Sequence, residues 1–111
     1  MSMYQTIFNL PKFEKIKKEG YGYCIENPIK VFNVIGLHNY LANLRHKEGD
    51  LQQYTRVGSH YDQNSGHMVD QYAIFVSIDK SQNFYYVYDI FIDIYNGKDD
   101  TSSPEDFSLV K

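Results

Sequence analysis

Residues 67–95 read HMVDQYAIFVSIDKSQNFYYVYDIFIDIY, and this stretch decides the fold class of the chain. Its two ends, 67–78 and 84–95, are rich in aromatic and β-branched residues, a composition typical of β-strands. Between them lies DKSQN, a short polar segment of turn formers. We therefore predict two long antiparallel strands joined by a tight connection.

Two further segments extend this hairpin toward the N-terminus. Residues 51–59, LQQYTRVGS, alternate weakly and predict a third strand, which makes the sheet a meander. Residues 37–47 predict a helix that ends before Gly49, because large apolar side chains recur there at helical spacing. On that helix His38 and His46 lie near one side, where we expect both imidazoles to be exposed.

The first third of the chain gives weaker patterns. Residues 10–20, LPKFEKIKKEG, predict a short helix, because Phe13 and Ile16 would share a face and Gly20 would cap its C-terminus. Residues 29–35, IKVFNVI, favour a strand, since β-branched residues alternate there with polar ones. The start of a longer helix is the alternative that this pattern leaves open.

Together these segments predict an α+β fold in one small domain that spans residues 1–111. We expect a sheet of three to five strands, mainly antiparallel, with one main helix packed on one face. The last segment, residues 97–111, begins with turn formers and polar residues. It predicts a mobile or loosely packed C-terminal tail, from which Phe107, Leu109 and Val110 could fold back onto the domain.

Composition narrows the class of protein. The net charge of −3 divides into +2 over residues 1–50 and −5 over residues 51–111. Since phosphate binding depends on a basic surface, we expect no nucleic-acid partner. The lone Cys24 has no partner for an internal disulfide, which fits a reducing compartment. No signal peptide or membrane-length apolar run is seen, so we expect a soluble, cytoplasmic protein without a membrane partner.

Sequence motifs for known chemistry are missing. The chain has no Gly-rich phosphate loop, no dinucleotide fingerprint, no Cys-x-x-Cys pair and no His-Glu-x-x-His. We therefore expect no cofactor, and a non-enzymatic role is favoured over an enzymatic one.

Successive side chains of a strand point to opposite sides of the sheet, so the residues of the hairpin divide into two faces. One face is almost wholly apolar and should be the core, under the predicted helix. The other face mixes aromatic and acidic residues, whereas a solvated face would be mostly polar. We predict that its contacts with a partner are made by Phe75, Tyr85, Asp89, Phe91, Asp93 and Tyr95. The alternative is that the N-terminal segment or a second copy of the chain covers this face.

The segment GSHYDQNSGH, residues 58–67, gathers the residue types of a metal site. If its turn centres on Gln63 and Asn64, His60 and His67 oppose each other with β-carbons about 4.5–5.5 Å apart. Two imidazoles at that spacing can bind Zn²⁺ or a similar ion, with Asp62 as an oxygen ligand. The same polar and glycine residues are also those of an ordinary turn.

Three functions follow from these patterns. The first is a small non-enzymatic binding protein, of inhibitor or immunity type, that holds a protein partner on the aromatic and acidic face. The second is a metal-binding protein or metal-dependent enzyme built on His60 and His67, with Asp62 and Arg56 nearby. The third is a homodimeric scaffold, in which the partner is a second copy of the chain.

Overall fold

The computed structural model describes residues 12–110, apart from the side chain of Gln52. Predictions on residues 1–11 and on Lys111 fall outside this part of the chain. Within it lie seven strands and one helix, and the α+β class is confirmed. Their bounds are β1 Phe13–Ile16, β2 Ile29–Lys30, α1 Val34–Asn43, β3 Leu44–His46, β4 Asp50–Asp62, β5 His67–Asp79, β6 Phe84–Asp93 and β7 Phe107–Leu109.

The meander of β4, β5 and β6 is antiparallel, as the sequence predicts. The main sheet nevertheless has mixed pairing, because β1 and β2 both run parallel to β6 along its other edge. With them it has five strands, and β4 forms the opposite edge. A separate two-stranded sheet of β3 and β7 was not predicted.

The helix predicted over residues 10–20 is wrong, since β1 occupies residues 13–16. The spacing of Phe13 and Ile16 fits a helical face, but in a strand it sends the two side chains to opposite sides of the sheet. Each side chain meets a different apolar cluster: Ile16 packs against the main core, and Phe13 packs against the cluster on the other face. Pairing with the edge of β6 therefore overrides the local helical pattern.

The helix is displaced toward the N-terminus relative to the prediction. The strand expected over residues 29–35 stops at Lys30, and α1 begins at Val34 in place of residue 37. Asn33 caps it, because its side-chain oxygen accepts a hydrogen bond from the Gly36 backbone N–H at 3.0 Å. The helix ends at Asn43, and the last residues of the predicted helix form β3.

The core lies between α1 and the predicted apolar face of the sheet. The fully buried side chains of that face come from the two central strands: Ile74, Val76, Tyr88, Ile90 and Ile92. A helix with its side chains is about 10 Å across, while strands are about 4.8 Å apart, so one helix covers about two strands. The edge strand β4 is consequently left beside α1 and not beneath it.

The C-terminal segment, where the sequence predicted a loosely packed tail, is packed against the domain. Tyr21 donates a hydrogen bond to the Asp100 carboxylate, while Tyr23 and Tyr40 donate to backbone carbonyls of the same segment. Beyond them β7 pairs with β3, and the ring of Phe107 is buried.

Candidate functional site

The outer face is the sheet face turned away from α1, where the sequence predicted partner contacts. Its centre is a buried apolar cluster of Ala73, Phe75 and Val87, with Phe13 of β1 packed against it. Phe75 has no accessible surface and therefore no contact to offer a partner. Tyr85 and Phe91 are half-buried.

The predicted acidic contacts of the outer face are already paired. The Asp89 carboxylate lies 2.8 Å from the Lys15 ammonium, and its other oxygen is buried with no hydrogen-bond partner. Asp93 is 1% exposed. Its carboxylate accepts hydrogen bonds from His67 Nδ1 at 2.7 Å and from the Tyr95 backbone N–H at 2.9 Å. Neither carboxylate is therefore an unpaired charge available to a basic partner.

The expected opposition of His60 and His67 is wrong. The turn spans residues 63–66, so Asp62 pairs with His67 and His60 pairs with Val69. Gly66, with φ +77, closes this longer turn in the left-handed region that glycine tolerates. The two histidines are diagonal neighbours on the outer face, with β-carbons about 7 Å apart.

The side chains of the proposed metal site have other partners. His60 Nε2 bonds the Gln71 side-chain oxygen at 2.8 Å, and His67 bonds Asp93. Asp62 is buried and accepts the backbone N–H of Asn64 at 3.1 Å, which stabilises the turn. Within residues 12–110, no three His, Cys, Asp or Glu side chains are arranged to hold a metal ion.

On the helix side of the sheet, a groove runs between α1 and the edge strand β4. Its first half is an open cavity of about 560 Å³ beside the start of α1. The cavity has apolar walls from Val34, Leu37 and Met68. Its polar wall is Arg56, whose guanidinium lies 3.3 Å from the Asp70 carboxylate and forms a salt bridge with it.

The second half of the groove is a cavity of about 430 Å³ beside the end of α1. Leu41 and Ala42 line its helix side, and Leu51 lines its strand side. His38 lines the first cavity and Tyr54 lines the second, and a hydrogen bond of 3.3 Å between His38 and the Tyr54 hydroxyl joins the helix to β4. We call the two cavities together the helix–edge groove.

Large apolar side chains are exposed around the helix–edge groove. Val34 is 51% exposed, Met68 41% and Tyr95 57%, and all three line the first cavity. Tyr95 follows the end of β6, and its ring also packs edge-on against His67 on the outer face. It is therefore the predicted contact residue that both surfaces share.

A second polar cluster lies in the interior, around His46. The sequence placed His46 on an exposed helix side, but β3 carries it into the core, where it is 7% exposed. Its Nε2 lies 2.7 Å from the Tyr88 hydroxyl, which donates a hydrogen bond to Asp106 at 3.0 Å. Lys47 and Lys18 lie 2.9 and 3.4 Å from the same carboxylate.

Burial and hydrogen bonds together set the ionisation of this cluster. Burial lowers the pKa of His46 below its usual value, against the opposite effect of the Asp106 charge. Burial, together with the hydrogen bond to Asp106, raises the pKa of Tyr88. Burial alone would raise the pKa of Asp106, but hydrogen bonds from Lys47, Tyr88 and Lys18 outweigh it and lower that pKa.

Neither the groove nor the cluster gives a sequence motif. The groove arises because a single helix is narrower than the sheet, and the cluster because Asp106 returns to the domain sixty residues after His46. Leu44 and His46 are buried on either side of the exposed Arg45, and this period-two alternation is the local signal that His46 faces inward.

The chain matches no known protein family, no curated protein and no solved structure. Among the described residues, no helix is long and apolar enough to cross a membrane.

Proposed function

We propose that this protein binds a protein partner in the helix–edge groove. The observation that carries the proposal is the cluster of exposed Val34, Met68 and Tyr95 around the first cavity. Exposed apolar side chains that gather beside a cavity are costly in water and are typical of interaction surfaces. Tyrosine, methionine and arginine are also enriched in such interfaces, and Arg56 completes the set here.

The groove has the shape that recognises an element of secondary structure. Positions 34, 37, 38, 41 and 42 form one stripe along α1, about 12 Å long at 1.5 Å per residue. The facing wall is β4, whose outer backbone edge pairs with no other strand of the described part of the chain. A partner segment could place apolar side chains in both cavities, one on each side of the His38–Tyr54 contact.

This proposal keeps the class of function inferred from the sequence and changes the surface. The outer face is a weaker candidate, because Phe75 is buried and Asp89 and Asp93 are paired. Because both carboxylates are paired within the domain, they give no support to the idea that acidic side chains of the outer face attract a basic partner. Enzymatic use of His60 and His67 has less support still, since both rings are engaged by neighbouring side chains.

Two matched variants test which surface binds. Met68→Glu places a charge in the groove, and Tyr85→Ala truncates a ring on the outer face. A partner is first recovered with the wild-type protein from extracts of the source organism, then purified and titrated calorimetrically. Met68→Glu should weaken binding at least about tenfold, or about 1.4 kcal/mol, and Tyr85→Ala by less than about threefold.

The converse result, with binding lost in Tyr85→Ala and retained in Met68→Glu, would return the site to the outer face. Far-UV circular dichroism of both variants must match the wild type. Sedimentation equilibrium of the same three proteins shows whether the partner is a second copy, since a dimer held by the groove dissociates in Met68→Glu.

A further inference from the structure

We propose that His46 is an acid-sensitive latch, which releases the C-terminal strand β7 from the domain when its ring takes up a second proton. The device is separate from the helix–edge groove. It rests on the hydrogen bonds around His46 and on the way β7 is held.

Strand β7 is attached to the domain through His46 and its neighbours. His46 pairs in register with Phe107, and the two rings pack edge-on with centroids 5.2 Å apart. Next to this pair the Lys47 backbone N–H donates to the Asp106 carbonyl at 3.1 Å. Beyond β7 the Val110 backbone N–H donates a hydrogen bond to the Asn43 backbone carbonyl at 2.8 Å. With three residues, β7 has few ladder hydrogen bonds of its own, so these contacts carry much of its attachment.

The hydrogen bonds fix His46 as a neutral ring with its proton on Nε2. The backbone N–H of Glu48 donates to Nδ1 at 3.1 Å, so Nδ1 carries no proton. Nε2 then donates to the Tyr88 hydroxyl, and that hydroxyl donates to the Asp106 carboxylate. In this series of hydrogen bonds each group is a donor or an acceptor in only one consistent way. The series ends at Asp106, which lies in the turn that leads into β7.

A second proton on His46 breaks the arrangement at Nδ1. A protonated Nδ1 would face the Glu48 N–H, so two donors would meet and that hydrogen bond would be lost. The new charge would also lie in a nearly closed aromatic site, formed by the rings of Tyr86, Tyr88 and Phe107. Burying a charge in such a site is costly unless it is paired.

The charges that face His46 come from three parts of the chain. Asp106 of the C-terminal segment and Glu48 beside β3 favour the charged ring, and Lys47 opposes it. Lys18, from the segment after β1, holds part of the Asp106 charge at 3.4 Å. From β6 the rings of Tyr86 and Tyr88 pack against the imidazole, and the Tyr88 hydroxyl accepts from its Nε2. Burial outweighs the attractive charges, and the pKa of His46 is lowered.

The sign of the pH dependence follows from this direction. The attached state binds the second proton less readily than the released state, whose histidine has its usual pKa of 6.5. Attachment is therefore fully stable above pH 6.5. It weakens as the pH falls from 6.5 toward the lower pKa of the attached ring, by at most tenfold in the equilibrium constant per pH unit.

The test is a nuclear magnetic resonance titration of the full-length protein from pH 7.5 to pH 4.5. The methyl groups of Leu109 and Val110 report release of β7, and those of Ile74 and Ile90 report the intact core. In the wild type the tail methyls should move to unfolded positions, with a midpoint that tracks the titration of the His46 ring, while the core methyls stay in place.

His46→Gln keeps a donor toward Tyr88 and does not titrate, so it should lose the pH dependence of the tail. His38→Gln, which changes an exposed histidine, should keep it. The proposal fails if the tail of the wild type stays attached at pH 4.5, or if His46→Gln releases it along the wild-type curve. Nitrogen shifts of wild-type His46 at pH 7.5 give an independent check: a proton on Nδ1 in place of Nε2 would also overturn it.

Discussion

Replacing Tyr88 by phenylalanine removes one oxygen atom from the middle of the interior cluster. Tyr88 is 1% exposed, and its hydroxyl accepts from His46 and donates to Asp106. The His46 N–H would be left in the core without its partner, which costs about 1–3 kcal/mol, and a hydrogen bond to a charged group is worth about 1.5–3 kcal/mol. Asp106 retains Lys47 and Lys18, so the two losses overlap and we expect about 3 kcal/mol.

Tyr86→Phe is the matched control for Tyr88→Phe. It lies on the same strand and the same face, and within residues 12–110 its hydroxyl forms no hydrogen bond. Urea unfolding at pH 7.5, followed by circular dichroism, should show Tyr88→Phe less stable by about 3 kcal/mol and Tyr86→Phe within about 0.5 kcal/mol of the wild type. Equal small losses in both variants would refute the hydrogen-bond chain through Tyr88.

Three further variants test other parts of the structure. Gly49→Ala should strongly lower the melting temperature, because the new β-carbon would lie 2.3 Å from a backbone oxygen of β5. Gly97→Ala is the control, since nothing lies within 4 Å of its new β-carbon, and equal melting temperatures for the two variants would disprove the close approach at Gly49. Asp93→Ala should cost about 1–3 kcal/mol in urea unfolding, since His67 and the Tyr95 backbone N–H lose the buried carboxylate that accepts from them, and a loss below about 0.5 kcal/mol would argue against these hydrogen bonds. Added Zn²⁺, Mn²⁺ or Ni²⁺ should have the same effect on the melting temperature of the wild type and of His60→Ala. A rise in the wild type alone would restore the hypothesis of a metal site at His60 and His67.

The long strands could be predicted from sequence because their pattern is strong and local. Strands β5 and β6 agree with the prediction within two residues at every end, since alternation of apolar residues there has only one structural interpretation. The segment around Phe13 and Ile16 could not be predicted, because a spacing of three fits one face of a helix as well as two faces of a strand. Only the edge of β6 decides between them, and that edge is more than sixty residues away.

The candidate site depended on tertiary geometry that a linear pattern does not contain. Strand parity places Asp93 on the outer face but says nothing of His67, which pairs with it. The register of the β4–β5 hairpin depended on Gly66, whose left-handed conformation lengthens the turn and moves His60 away from His67. The helix–edge groove depends on which strands α1 covers.

The measurement that tests the central claim most directly is site-specific photo-crosslinking to the purified partner. A photoreactive phenylalanine analogue is placed at Ala42, an exposed position inside the groove, or at Tyr85 on the outer face. Binding in the helix–edge groove predicts a covalent adduct from position 42 and none from position 85. An adduct from position 85 alone would contradict the groove and place the partner on the outer face.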